Sequence, residues 1–141
     1  RFVNDSMGFY AAKQLVKKLI ATGKNVLHAK VLVMGATFKE NVSDIRNSKV
    51  ADLICELKSY GVDVDVVDPY ADSDHLKHEY GFSLCKNPKD KYDAIVVAVN
   101  HKPYLDMDEA YFKSMMDEKG ILIDIKGIYR KKIKTLTYWS F

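Results

Sequence analysis

The sequence predicts an α/β fold: a Rossmann-like three-layer αβα sandwich with a mostly parallel sheet, preceded by a long N-terminal helix. Three observations point there. Four short apolar runs, Val31–Met34, Val62–Val67, Ala94–Val99 and Ile121–Ile125, are rich in β-branched residues and read as buried strands. Segments of helical pattern separate them. Each run ends in turn chemistry: Gly35, Asp68-Pro69, Asn100-His101-Lys102-Pro103 and Lys126-Gly127. Strands alternating with helices pair in parallel through right-handed crossovers.

Phe2 to Gly23 reads as the long helix. Asn4, Asp5 and Ser6 offer cap chemistry and Gly23 a stop, while Met7, Tyr10, Ala11, Leu15, Leu19 and Ile20 form an apolar stripe. After the first strand, Gly35 lets the backbone turn closely. Asp44 or Ser48 then caps a helix running to about Tyr60. Asp68-Pro69-Tyr70 stops the second strand. An acidic residue at that point binds a ribose in some dinucleotide folds, but the proline beside it favours a plain turn. Asp72 to Tyr80 is a polar helix ending near Gly81, and Phe82 to Cys85 is a minor strand or an irregular piece. Asn87 to Lys91 is a polar loop. Asp108 to Met116 is the next helix, with Ala110, Tyr111, Met115 and Met116 as its apolar members. From Ile128 the chain is basic and then aromatic, and no element is assigned to it.

Length and composition narrow the function. A chain of 141 residues suits one folded domain, and 48% apolar with 29% charged residues is the balance of a globular protein. A formal charge of +3 fits an acidic small ligand without calling for nucleic acid. Cys55 and Cys85 form neither a disulfide framework nor a zinc pattern, so a reducing cytoplasm is the expected setting. No apolar run approaches the ~20 residues that span a bilayer. The chain opens on Arg1 rather than Met, which reads as part of something longer.

Ligands of open α/β sheets lie beyond the carboxyl ends of the strands. Phe38, Lys39 and Arg46 follow the first strand, and Lys126 follows the fourth. Lys39 brings a flexible ammonium with three donors, and Arg46 a planar fork suited to a carboxylate, diphosphate or carboxamide. The plainer alternatives are a solvated lysine and an arginine paired with Asp44 or Glu40. A dinucleotide site built on this first turn would want G-x-G-x-x-G, but only Gly35 is present. A nucleotide here would be held by side chains. His101 can act as acid or base near neutrality, or be a turn histidine bonded to backbone; Lys102 and Tyr104 share that ambiguity.

The run GATFKENVSDIRNSK, with Gly35, Phe38, Lys39, Asp44, Arg46 and Ser48 on a pattern G-x-x-F-K-x-x-x-x-D-x-R-x-S, resembles the C-terminal domain of the nucleotide-sugar 6-dehydrogenases. VNDSMG, AVNHKPY and DIKG (Asp124 to Gly127) are similar to further segments of that family. The wording leans toward its bacterial UDP-N-acetylhexosamine branch, whose products enter surface polysaccharides. The resemblance implies that residues 1–24 end an inter-domain helix that pairs subunits into a homodimer, and that residues 25–141 bind a UDP-sugar. It implies substrate roles for Phe38, Lys39 and Lys126, and an Arg46 that reaches NAD held by another domain. Several members carry Gly-Arg where Lys126 stands, so a bidentate contact is lost here. The family oxidises a primary alcohol with two NAD molecules and a nucleophilic cysteine. Neither Cys55 nor Cys85 has the expected context, so this stretch alone is expected to have no turnover, no catalytic residue and no metal. Two rivals remain: a non-enzymatic or regulatory α/β nucleotide-binding module, and a self-sufficient NAD-binding domain. Neither nucleic acid nor membrane is an expected partner.

Overall fold

The computed structural model describes residues 2–37, 39–46, 48–88 and 91–141, with side chains described from residue 7 onward. Its centre is a five-stranded sheet, β1 (Lys30–Met34), β2 (Asp63–Val67), β3 (Tyr92–Val97), β4 (Met116–Asp124) and β5 (Thr137–Ser140), in the order β2-β1-β3-β4-β5. Every pairing is parallel, with Val31 opposite Val64 and Ala94, Ile95 opposite Leu122, and Ile123 opposite Trp139. All five carboxyl ends therefore share one edge.

Side-chain alternation along the strands builds two apolar layers. Val31, Val33, Ala94, Val96, Ile121 and Ile123 face α1 (Phe2–Ala21) and α2 (Lys49–Ser59), joining Ala11, Leu15, Leu19, Leu53, Ile54 and Leu57. Leu32, Met34, Ile95, Val97 and Leu122 face the opposite way, under Phe112 of α4 (Glu109–Ser114), Tyr104 and Tyr129. The result is the three-layer sandwich that the alternating pattern requires.

Local chemistry sets the ends of the helices. The Ser48 hydroxyl accepts the Val50 amide at 3.3 Å, so Ser48 rather than Asp44 caps α2. Asp72 caps α3 (Ser73–Tyr80), which stops at Gly81 in the left-handed conformation (φ 85°). Asp108 caps α4. Asn4, Asp5 and Ser6 lie inside α1, which is already under way at Phe2. Tyr10 and Ile20 leave the predicted stripe: they are exposed, and Ala12 and Val16 take the buried positions. Likewise Phe112, not Tyr111, is the buried side chain of α4, and Met116 opens β4. Phe82 to Cys85 is irregular, tied to the sheet by the Cys85 amide on the Val66 carbonyl (2.7 Å). β5 arises from the basic and aromatic tail. Among the described residues no helix is long and apolar enough to cross a membrane.

Candidate functional site

Three strand tips are fastened to one another by a buried polar network, and that network shapes the loop carrying Lys39. The side chain of Asp68, just past β2, is fully enclosed. Its Oδ1 accepts the Tyr70 and Ala71 amides at 2.7 and 2.8 Å, which closes the turn. Its Oδ2 accepts the Ala36 amide beyond β1 at 2.7 Å and meets His101 Nε2 beyond β3 at 2.9 Å. A buried carboxylate needs such partners, since each missing one would leave an unsatisfied charge.

His101 is 0% exposed. Its Nδ1 lies 3.0 Å from the Asn41 amide and must accept that hydrogen. The proton of the neutral ring then sits on Nε2, aimed at Asp68, with Thr37 Oγ1 3.1 Å away. Thr37 donates its own hydroxyl hydrogen to the Lys39 carbonyl at 2.8 Å. Tyr70 covers the imidazole edge-on, its centroid 4.7 Å distant. His101 is thus the backbone-bonded turn histidine, one of the two readings open from sequence, and it is closed to solvent.

Gly35 is needed here for its lack of a side chain. Its φ is +102°, and a Cβ would come within 2.9 Å of the Val99 amide nitrogen. The tight approach joins the ends of β1 and β3 instead of clearing room for a pyrophosphate. Asp68, the residue placed to bind a ribose, has both oxygens committed within the protein. The first crevice of this sheet therefore does not fit a dinucleotide.

Phe38 lies outside the described residues. Lys39 is exposed beyond β1, and Lys126 is exposed in the turn after β4. Neither has an ion-pair partner among the described residues. Only β3 separates their strands, so the tips stand two inter-strand spacings apart, roughly 10 Å. Arg46 is placed differently. Its guanidinium forks onto Asp44, with Nε to Oδ1 3.0 Å and Nη2 to Oδ2 2.9 Å. These bonds from Arg46 hold the Asp44 carboxyl down at about 2. Arg46 lines an open groove of about 760 Å³ beside α2 and α3 with Lys58, Tyr80 and Phe82, and neither Lys39 nor Lys126 borders it.

The turn bearing Lys126 is fixed by Asp124, which is fully buried and accepts the Ile128 amide (3.1 Å), the Tyr129 amide (2.8 Å) and the Tyr138 hydroxyl (2.6 Å). Burial and the bond to Asp124 push the Tyr138 phenol up to about 12. Lys102 opens a short 3-10 turn, Lys102–Tyr104, and is exposed. The Tyr104 phenol is buried with no hydrogen-bond partner among the described residues, and burial, then the charge of Asp68, push it above its ordinary range.

Cys55 is exposed on α2 and Cys85 half-buried, and both are free thiols. Among the described residues no group of His, Cys, Asp or Glu side chains is arranged to hold a metal ion. Sequence reasoning missed Thr37 and Asn41 altogether. Asn41 is at φ 60°, a left-handed position that asparagine tolerates. An asparagine inside a short loop was the one available signal.

Residues 32–131 match the UDP-glucose/GDP-mannose dehydrogenase family, UDP binding domain. The UDP-N-acetyl-D-glucosamine 6-dehydrogenase of Salmonella typhi is 40% identical over 129 residues, which cover 91% of this chain and 30% of that protein. Protein CapL of Staphylococcus aureus is 41% identical, with the same coverage of each. The chain thus spans about a third of the length of these relatives. The UDP-D-ManNAc dehydrogenase of Pyrococcus horikoshii shares the fold, with a TM-score of 0.81 over 99% of this chain and 32% of that one, at 22% identity. The chain belongs to the UDP-glucose/GDP-mannose dehydrogenase family, of which it carries the UDP-binding domain.

Proposed function

We propose that residues 25–141 bind the diphosphate of a UDP-sugar through Lys39 and Lys126, within an NAD-dependent 6-dehydrogenase that converts a UDP-N-acetylhexosamine to its uronate for surface polysaccharide. The observation that carries this reading is a pair of exposed lysines, Lys39 after β1 and Lys126 after β4, on the carboxyl edge of the sheet, with no ion-pair partner among the described residues. Two cations spaced across one strand suit a diphosphate, which offers negative oxygens on both phosphorus atoms. Phe38 is assigned to the nucleotide-sugar beside Lys39.

Arg46 is assigned to NAD held outside this chain. The cofactor accepts hydride when bound, and the groove beside α2 is where Arg46 would meet it. For that contact Arg46 must exchange its bond to Asp44 for one to the cofactor. Residues 1–24 belong to an inter-domain helix that supports a homodimer, and the cytoplasm, where UDP-sugars are made, is the setting. The Salmonella typhi relative is named a dehydrogenase, which gives the non-enzymatic module no support.

The test is Lys39→Ala in the intact polypeptide, with UDP-N-acetylglucosamine and NAD varied separately. The KM for the sugar nucleotide should rise at least about tenfold, as expected for a lost charged hydrogen bond. The KM for NAD should change by less than about twofold. The opposite ordering rejects the assignment.

A further inference from the structure

We infer that His101, held by Asp68, is a positioning residue for the substrate-binding loop: its Nδ1 fixes the backbone at Asn41 and thereby the direction in which Lys39 leaves the sheet. The inference rests on the reading that Lys39 binds the diphosphate, and it adds residues that never touch the ligand.

The loop after β1 is tied at three points. Thr37 donates to the Lys39 carbonyl, the Asn41 amide donates to His101 Nδ1, and Asn41 Oδ1 accepts the Lys102 amide at 2.7 Å. Two of these ties cross from β1 to the end of β3. Asn41 is itself exposed, and its backbone is left-handed (φ 60°), a conformation that asparagine tolerates but does not adopt by default. The bonds to residues 101 and 102 hold it there. His101 can serve as an anchor because it is buried, neutral by its own bonding, and fixed behind by Asp68, which in turn grips β1 through Ala36. A lysine has a long, rotatable stem, so its grip on a phosphate depends on a backbone already set in place.

Two isosteric changes separate the halves of this device. Asparagine at 101 places an oxygen near the position of Nδ1 and can still accept the Asn41 amide, but loses the donor to Asp68. Glutamine reaches the position of Nε2, keeps the bond to Asp68 and loses the acceptor for Asn41. The intact polypeptide is titrated with UDP by calorimetry, and amide hydrogen exchange is followed at Asn41. In the parent protein the Asn41 amide should exchange slowly despite its exposure. His101→Gln should speed that exchange and weaken UDP binding about tenfold, while His101→Asn should stay within about threefold of the parent in both. NAD affinity should be unchanged in both variants.

A fast Asn41 amide in the parent overturns the inference without any variant. So does equal UDP affinity of the two variants, or a loss of NAD affinity alongside that of UDP. Lys39→Ala run in parallel separates this claim from the one beneath it. If Lys39→Ala leaves UDP binding intact, the diphosphate reading falls and takes this inference with it. If it weakens binding and His101→Gln does not, only the positioning role falls.

Discussion

At the scale of single residues, two buried or bonded carboxylates govern the rim of the sheet. Asp124 accepts three hydrogen bonds and organises the turn that presents Lys126. Asp124→Ala should lower stability by about 3 kcal/mol, read from urea unfolding, because three donors lose one charged acceptor. Tyr138→Phe removes one of those bonds and should cost about 1 to 2 kcal/mol by the same measurement. Glu109 works at the surface. Its Oε2 accepts the Lys134, Thr135 and Leu136 amides at 2.9, 2.7 and 3.0 Å, and those backbone bonds, Leu136 first, hold its carboxyl at about 2. Its folded value is below its unfolded value of 4.5, so its contribution is complete above that pH and is lost as the pH falls toward 2. Glu109→Gln should flatten the acid limb of a plot of Tm against pH between 4.5 and 2. An unchanged limb would show that protonation of Glu109 does not contribute to the acid loss of stability.

At the scale of elements, the contact between α1 and α2 depends on Gly8. A Cβ there would sit 2.6 Å from the Lys49 carbonyl oxygen and 2.8 Å from the Leu53 amide nitrogen, both backbone atoms that cannot step aside. Gly8→Ala should therefore destabilise by about 2 kcal/mol in chemical denaturation, although alanine is the better helix former. Most element boundaries were readable from local signals, since Ser48, Asp72, Asp108 and Gly81 each act on neighbours one to four residues away. What escaped was set by distant partners. β4 begins at Met116, through the polar Asp117-Glu118-Lys119 that no strand pattern would admit. β5 follows a basic run and becomes a strand only by pairing with Ile121–Asp124. The Trp139 ring then packs against Tyr10 of α1 (5.9 Å) and Phe141 (4.8 Å), contacts without a periodic trace in the sequence.

At the scale of the whole molecule, an all-parallel sheet delivers every loop after a strand to one edge, and there the chain sorts its polar residues into two jobs. Asp68, His101, Thr37 and Asp124 are enclosed and hold loops. Lys39 and Lys126 are exposed and have no ion-pair partner among the described residues, which is the basis for proposing that they meet an anion. The sequence motif made Lys39 and Lys126 visible because strand, turn and cation are adjacent. It could not show that His101 reaches Asn41 across 60 residues, nor that Arg46 would fork onto Asp44 beside a separate groove. It also read Asp68 as a turn residue, which is half of what Asp68 does.

The most direct test of the account is calorimetric titration of this 141-residue chain with UDP and with NAD, repeated on the double variant Lys39→Ala/Lys126→Ala. The parent should bind UDP and show little heat with NAD. The double variant should lose UDP binding by about 100-fold, and the parent's affinity should fall as salt rises. NAD binding as tight as that of UDP, or UDP binding indifferent to both lysines, would contradict the claim that exposed lysines, and not a glycine cradle, hold the nucleotide.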